Sequence, residues 1–173
     1  MKIAIISSAL EKISEESENL IYQIVKKISQ IKNIEIITGG SLGIPGLIVQ
    51  KAQEFGIKTI AYSPDRHMYD HNNRFDNLHT KHFNEIKFIP GFTARSLQMI
   101  HDADKILLLN GRIGTLSEFT IALEEGKKVG VITNTGGIAD HLKYILSVAE
   151  KEFPEQIFFS DDYKKVVNWL EGN

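Results

Sequence analysis

The sequence predicts an α/β protein, an open parallel sheet with helices on both faces, folded as one domain over residues 1–173. Three observations predict it. Short β-branched apolar runs alternate with amphipathic helical segments along the whole chain. The length of 173 residues fits a single domain of the usual size, about 100–200 residues. Glycine-rich turns stand where predicted strands pass into helices, at Gly39–Gly46 and Asn110–Thr115.

Each element has its own signal. Lys2–Ser7 is short, apolar and β-branched, and reads as a buried strand. Asn19–Ile31 carries Leu20, Ile21, Ile24, Val25 and Ile28 at helical spacing, with Lys26, Lys27 and Gln30 turned outward. Glu15, Glu16 and Glu18 begin that helix, where its dipole favours negative charge. Ile34–Ile37 is a second strand. Pro45 suits the first turn of a helix running to about Phe55, and Gly56 caps it before the strand Lys58–Tyr62. Glu85–Ile89, Lys105–Leu109, Lys128–Thr133 and Ile157–Phe159 read as further strands. Thr93–Asp102, Thr115–Glu125, Ala139–Lys151 and Asp161–Leu170 read as helices, and Trp169 and Leu170 dock the last one on the sheet.

Ser63–Asn84 breaks this rhythm. It has no apolar period and is rich in Asp, Asn, His and Arg. A loop of this length in a compact domain points to function. If helical, it would bring His67 and His71 together at i and i+4, and His79 and His82 at i and i+3, as a metal site requires. The segment lacks the apolar shell of a preorganised metal site, so a solvated polar loop or substrate lid is the better reading. Arg66 and Arg74 could instead help hold a phosphate. No metal and no cofactor are expected.

Composition excludes whole classes of function. With no cysteine there is no disulfide scaffold, thiolate–metal site or thiol nucleophile. A net charge of -2 argues against a polybasic nucleic-acid or membrane-surface binder. The apolar runs Ile3–Ile6 and Ile106–Leu109 are too short for a signal peptide or a membrane span, so a cytoplasmic location is expected.

The chemistry concentrates in two turns and one arginine. In the first turn, Gly39, Gly40, Ser41, Gly43 and Gly46 would let the backbone approach a phosphate at the start of a helix. The spacing differs from the dinucleotide pattern, and a purely structural turn remains open. In the second turn, Gly111, Arg112, Gly114 and Thr115 lead into a helix. Thr115 would be its N-cap and Glu118 would complete a capping box, or Glu118 would face the crevice as a carboxylate. Arg95 is either a solvated surface residue or a guanidinium fork aimed at a phosphate or ribose.

The run Arg95–Glu118 resembles the LOG ("Lonely guy") family, whose members often bear the label "possible lysine decarboxylase". The resemblance rests on an arginine, a helix ending in Ala103-Asp104, an apolar strand, and then the glycine motif ending in Thr115 and Glu118. Gly39–Gly46 is similar to the family's first glycine motif, so the match covers about residues 34–131. Three positions depart from the pattern: Asn110 replaces proline, Arg112 replaces the second glycine, and Ser96 replaces a lysine. The overall pattern looks closer to a LOG-like Rossmann nucleotide-binding subgroup.

The resemblance implies a Rossmann-like fold, usually a homodimer, and hydrolysis of the N-glycosidic bond of a nucleoside 5′-monophosphate to base and ribose 5-phosphate. It implies that Arg95 and Glu118 are the essential pair. It does not imply lysine decarboxylation, because no setting for a Schiff-base lysine is visible. A related branch resembles molybdenum-cofactor carrier proteins, so a non-catalytic nucleotide or cofactor carrier is the alternative. A nucleotide sensor that signals through association is a third.

Overall fold

The computed structural model describes residues 1–9, 13–75, 81–149 and 155–172. Seven parallel strands form one sheet: β1 (Lys2–Ile6), β2 (Glu35–Thr38), β3 (Lys58–Ser63), β4 (Glu85–Phe88), β5 (Lys105–Leu109), β6 (Lys128–Ile132) and β7 (Ile157–Ser160). Their spatial order is β4-β3-β2-β1-β5-β6-β7. The order reverses direction between β1 and β5, where Ile3 pairs with Lys105 and Ile6 with Leu108. At such a reversal the loops beyond the two strands run apart and leave a crevice.

The helices are α1 (Glu15–Ile28), α2 (Ile44–Glu54), α3 (Met68–Arg74), α4 (Phe92–Asp102), α5 (Ile113–Glu124), α6 (Leu142–Val148) and α7 (Tyr163–Glu171), with a 3₁₀ turn at Gly137–Asp140. The inner strands β1, β5 and β6 are apolar and buried beyond their first residue because both faces of the sheet are covered there. Successive β1 residues split between the two cores. Ile3 and Ile5 pack with Ile21, Ile24, Ile48 and Val166 of α1, α2 and α7. Ala4 and Ile6 pack with Met99, Phe119 and Leu142 of α4, α5 and α6. The expected α/β architecture is therefore present. Among the described residues, no helix is long and apolar enough to cross a membrane.

Three expectations need correction. The polar stretch after β3 is not structureless, because Met68–Arg74 forms α3. The helix expected from Thr115 starts two residues earlier, at Ile113, with Arg112 as its N-cap. The segment after β6 first makes a 3₁₀ turn and becomes α-helical only at Leu142. Asp76, His79 and the expected extension of α6 to Lys151 lie outside the described residues.

Candidate functional site

A cavity of about 420 Å³ opens at the carboxyl ends of β1, β2 and β5, at the reversal of strand order. Its floor is Ile5–Ala9, at the end of β1. The turn after β2 supplies Gly39 and Ser41, and the start of α5 supplies Arg112, Gly114, Thr115 and Glu118. The α4 residues Phe92 and Arg95 and the α3 end, Arg74 and Phe75, complete the wall.

Arg95 and Glu118 meet there, although 23 residues separate them. Arg95 Nη1 donates to Glu118 Oε1 at 2.9 Å, and Ser96 Oγ donates to the same oxygen at 3.0 Å. Both side chains are largely buried, with 12% and 8% exposed. Among the described residues nothing donates to Glu118 Oε2, which leaves that oxygen for a ligand or water. Burial pushes the Glu118 carboxyl above its ordinary range, and the Arg95 charge and the two hydrogen bonds pull it only part of the way back. Glu118 is thus not a capping residue. Thr115 is not the N-cap either: it sits at the third helical position, and its Oγ1 accepts from the Arg112 N–H at 3.4 Å.

The glycines divide into two groups. Gly39 and Gly114 lie on the cavity wall. A Cβ on Gly39 would come 2.5 Å from Arg95 Nη1, so the bare backbone is what lets the guanidinium reach Glu118. A Cβ on Gly114 would meet no protein atom and would project from the cavity wall, where its absence leaves the helix backbone open to a ligand. Gly40, Gly43, Gly46 and Gly111 do not line the cavity. Gly40 and Gly43 take φ of 71° and 77° in the first turn, and Gly46 is buried in α2. Gly111, at φ 104°, is packed so closely that a Cβ would lie 2.7 Å from Thr115 and 2.8 Å from Ile138.

Asn110 explains the missing proline. Its φ is 53°, which proline cannot adopt. Its N–H donates to Thr135 Oγ1 at 2.7 Å, and its Nδ2 donates to the Thr135 carbonyl at 2.8 Å. Its Oδ1 accepts from Ser8 Oγ at 2.6 Å and from the Gly111 N–H at 2.7 Å. One asparagine therefore ties together the loops after β1, β5 and β6.

The described histidines of this stretch do not converge on one point. His71 is fully buried, with Nδ1 2.9 Å from Ser63 Oγ, while His67 is the extended residue before α3. His82 contacts Gln53 instead, at 2.6 Å. No group of three or more metal-ligating side chains is present among the described residues. Arg74, by contrast, does reach the cavity. Phe75 and Phe92 join the wall unexpectedly, although Phe92 lies three residues before Arg95 and so shares its helix face.

A family model, the SLOG cluster4 family, matches residues 1–167. The chain belongs to the SLOG cluster4 family. This assignment is coarser than the LOG-like subgroup that the sequence resembles. Among solved structures, this SLOG chain is similar to the structural-genomics target TM1055, at TM-score 0.80 and 20% identity over 99% of both chains. It is similar to the molybdenum cofactor binding protein of the phototrophic bacterium Rippkaea orientalis, at TM-score 0.76 and 16% identity over 99% of this chain and 95% of that one. It is also similar to DNA processing protein A of Helicobacter pylori, which binds single-stranded DNA, at TM-score 0.66 and 18% identity over 98% and 80%. At these identities the likenesses establish the Rossmann-like fold alone. No curated protein matches the chain.

Proposed function

We propose that this crevice binds a nucleoside 5′-monophosphate and hydrolyses its N-glycosidic bond, releasing base and ribose 5-phosphate. The observation that carries the reading is the buried Arg95–Glu118 pair on the wall of the cavity at the strand-order reversal. The phosphate is held at the start of α5, where the N–H groups of Ile113, Gly114 and Thr115 precede the first i→i−4 bond, from Leu116 N–H to the Arg112 carbonyl. Arg112, at the rim of the cavity, adds a positive charge beside it.

As the bond from C1′ to the base nitrogen breaks, positive charge develops on the sugar. The free Oε2 of Glu118 stabilises that charge and orients a water molecule. The water oxygen bonds to C1′, and its proton ends on the departing base. Arg95 fixes the Glu118 carboxylate and contacts the ribose or phosphate. The same site completed by a second copy of the chain, as a homodimer, is part of this proposal.

The test is release of free base from a panel of nucleoside monophosphates, followed by chromatography, with Glu118→Gln as the control. Loss of release in that variant with a normal circular-dichroism melt supports hydrolysis. Arg112 in the glycine motif and the Rippkaea likeness favour a second reading, a non-catalytic carrier of a nucleotide or of the molybdenum cofactor. Recovery of bound ligand intact after prolonged incubation decides for carriage.

A further inference from the structure

The cavity has one wall that the phosphate and glycosidic chemistry do not use. It is built from Phe92, Phe75 and Arg74. Phe92 lines the cavity and is 58% exposed, so its ring is accessible to a ligand there. The Arg74 guanidinium lies over that ring, 5.4 Å from its centroid.

Arg74 is not a loose surface side chain. Its Nε and Nη2 donate to Asp65 Oδ1 at 3.0 and 2.8 Å, and Asp65 is itself 6% exposed. Asp65 is fixed in turn by Ser63, whose Oγ donates to Asp65 Oδ2 at 3.2 Å and contacts His71 Nδ1 at 2.9 Å. His71 is fully buried and holds α3 against the end of β3. A buried polar network thus orients a partly exposed arginine onto an exposed ring at the cavity wall. Such preorganisation costs conformational freedom that a merely solvated arginine would keep.

We infer that Phe92 and Arg74 form a stacking platform for a planar heteroaromatic group, the base of the bound nucleotide, and that Phe92 sets the preference for base-bearing ligands. The inference rests on the nucleotide reading above. Phe92 and Arg95 are three residues apart on one face of α4, about 4.5 Å along its axis. A base stacked on Phe92 therefore leaves its ribose beside Arg95 and Glu118, and its phosphate reaches the start of α5. Ser63, Asp65 and His71 are positioning residues, acting through Arg74.

Dissociation constants of the four common nucleoside monophosphates and of ribose 5-phosphate, measured by titration calorimetry on the full chain, test this. The wild type should bind its best nucleotide about tenfold or more tighter than ribose 5-phosphate. Phe92→Ala should bring that ratio to within about twofold of unity while ribose 5-phosphate binds as before, and Phe92→Trp should preserve the ratio. An unchanged ratio in Phe92→Ala overturns the platform and leaves nucleotide binding standing. So does an unchanged ratio accompanied by a lower molecular mass on light scattering, which would assign Phe92 to a subunit interface. Absence of nucleotide binding by the wild type overturns the nucleotide reading and the platform with it.

Discussion

The two ends of α4 carry two carboxylate clusters with similar parts and opposite electrostatics. At the end near the cavity, Glu118 meets Arg95 and Ser96. At the far end, Asp102 Oδ2 accepts from the Tyr62 hydroxyl and from Lys87 Nζ at 2.9 Å, and Oδ1 accepts from Gln98 at 2.7 Å. Burial raises both carboxyls. For Asp102, hydrogen bonds from Tyr62, Lys87 and Gln98 outweigh it and bring the pKa to about 2. For Glu118 burial wins and the pKa stays raised. The Tyr62 hydroxyl is pushed up to about 12 by burial and by its hydrogen bond to Asp102. The difference lies in donor count and water. Asp102 uses both oxygens at a partly open surface, with 22% of its side chain exposed, whereas Glu118 uses one oxygen in a deeper place. A fully satisfied carboxylate serves the fold, and a half-satisfied buried one is available for chemistry.

Substituting each carboxylate by its amide gives the sharpest contrast. Glu118→Gln should lower base release by about a hundredfold or more, because the charge facing the developing cation is gone. Its melting temperature should change little. Asp102→Asn should leave base release unchanged but cost about 2 kcal/mol of stability at neutral pH, from the drop of its pKa from 3.8 to about 2. Steady-state release assays and urea titrations on both variants check this. Equal losses of activity in the two would erase the distinction between the ends of α4.

The Asp102 contribution also has a defined pH window. Its folded pKa is depressed, so the stability it supplies is full above the ordinary carboxylate range and is lost as pH falls through about 2. Glu118 has the opposite sign. Its pKa is raised, so its contribution is present at low pH and lost as pH rises through the raised value. Acid titration of the fold should therefore lose its late step, between about pH 4 and 2, in Asp102→Asn.

A smaller effect is expected from Gly39→Ala. The added methyl would stand 2.5 Å from Arg95 Nη1 and must displace the guanidinium from Glu118. Affinity for a nucleoside monophosphate should fall about tenfold, by loss of a charge-assisted contact in a mostly buried site. Gly114→Ala meets no protein atom. It should keep the melting temperature and weaken only ligand binding, which calorimetry and a thermal melt together would show.

Much of this architecture was legible in the sequence because periodicity and turn chemistry are local. The strands and the long helices follow from apolar spacing, and the crevice follows from where glycine turns meet strand ends. The failures have physical causes. α3 is seven residues long and buries only His71 among them, so it carries no apolar period to detect. The start of α5 differs from expectation because Thr115 and Glu118 have capping-box spacing, yet tertiary contacts draw Glu118 to Arg95 and Ser96. The Arg95–Glu118 contact itself cannot be read from spacing, since the strand β5 and two turns lie between the residues. The resemblance points to this pair, and the fold brings Arg95 Nη1 to 2.9 Å from Glu118 Oε1. Phe92 does carry a local signal. Extending the Arg95 face by one helical turn leads to it directly.

The smallest predicted effect concerns Ser96, where the resemblance expects lysine. Ser96 is 7% exposed, and its hydroxyl donates to the same Glu118 oxygen that Arg95 holds. Donation to the charged form favours ionisation, so Ser96→Ala should move the Glu118 pKa further up. If base release needs the carboxylate, its acid limb already lies above the ordinary carboxylate range in the wild type. In Ser96→Ala that limb should shift to higher pH, while the rate at the alkaline plateau stays within about threefold. Rate–pH profiles of wild type and variant measure the shift. The corresponding change at the far end, Gln98→Ala, removes a donor to Asp102 and should leave the profile where it was. A limb that ignores Ser96 but follows Gln98 would mean that the reacting carboxylate is at the wrong end of the helix.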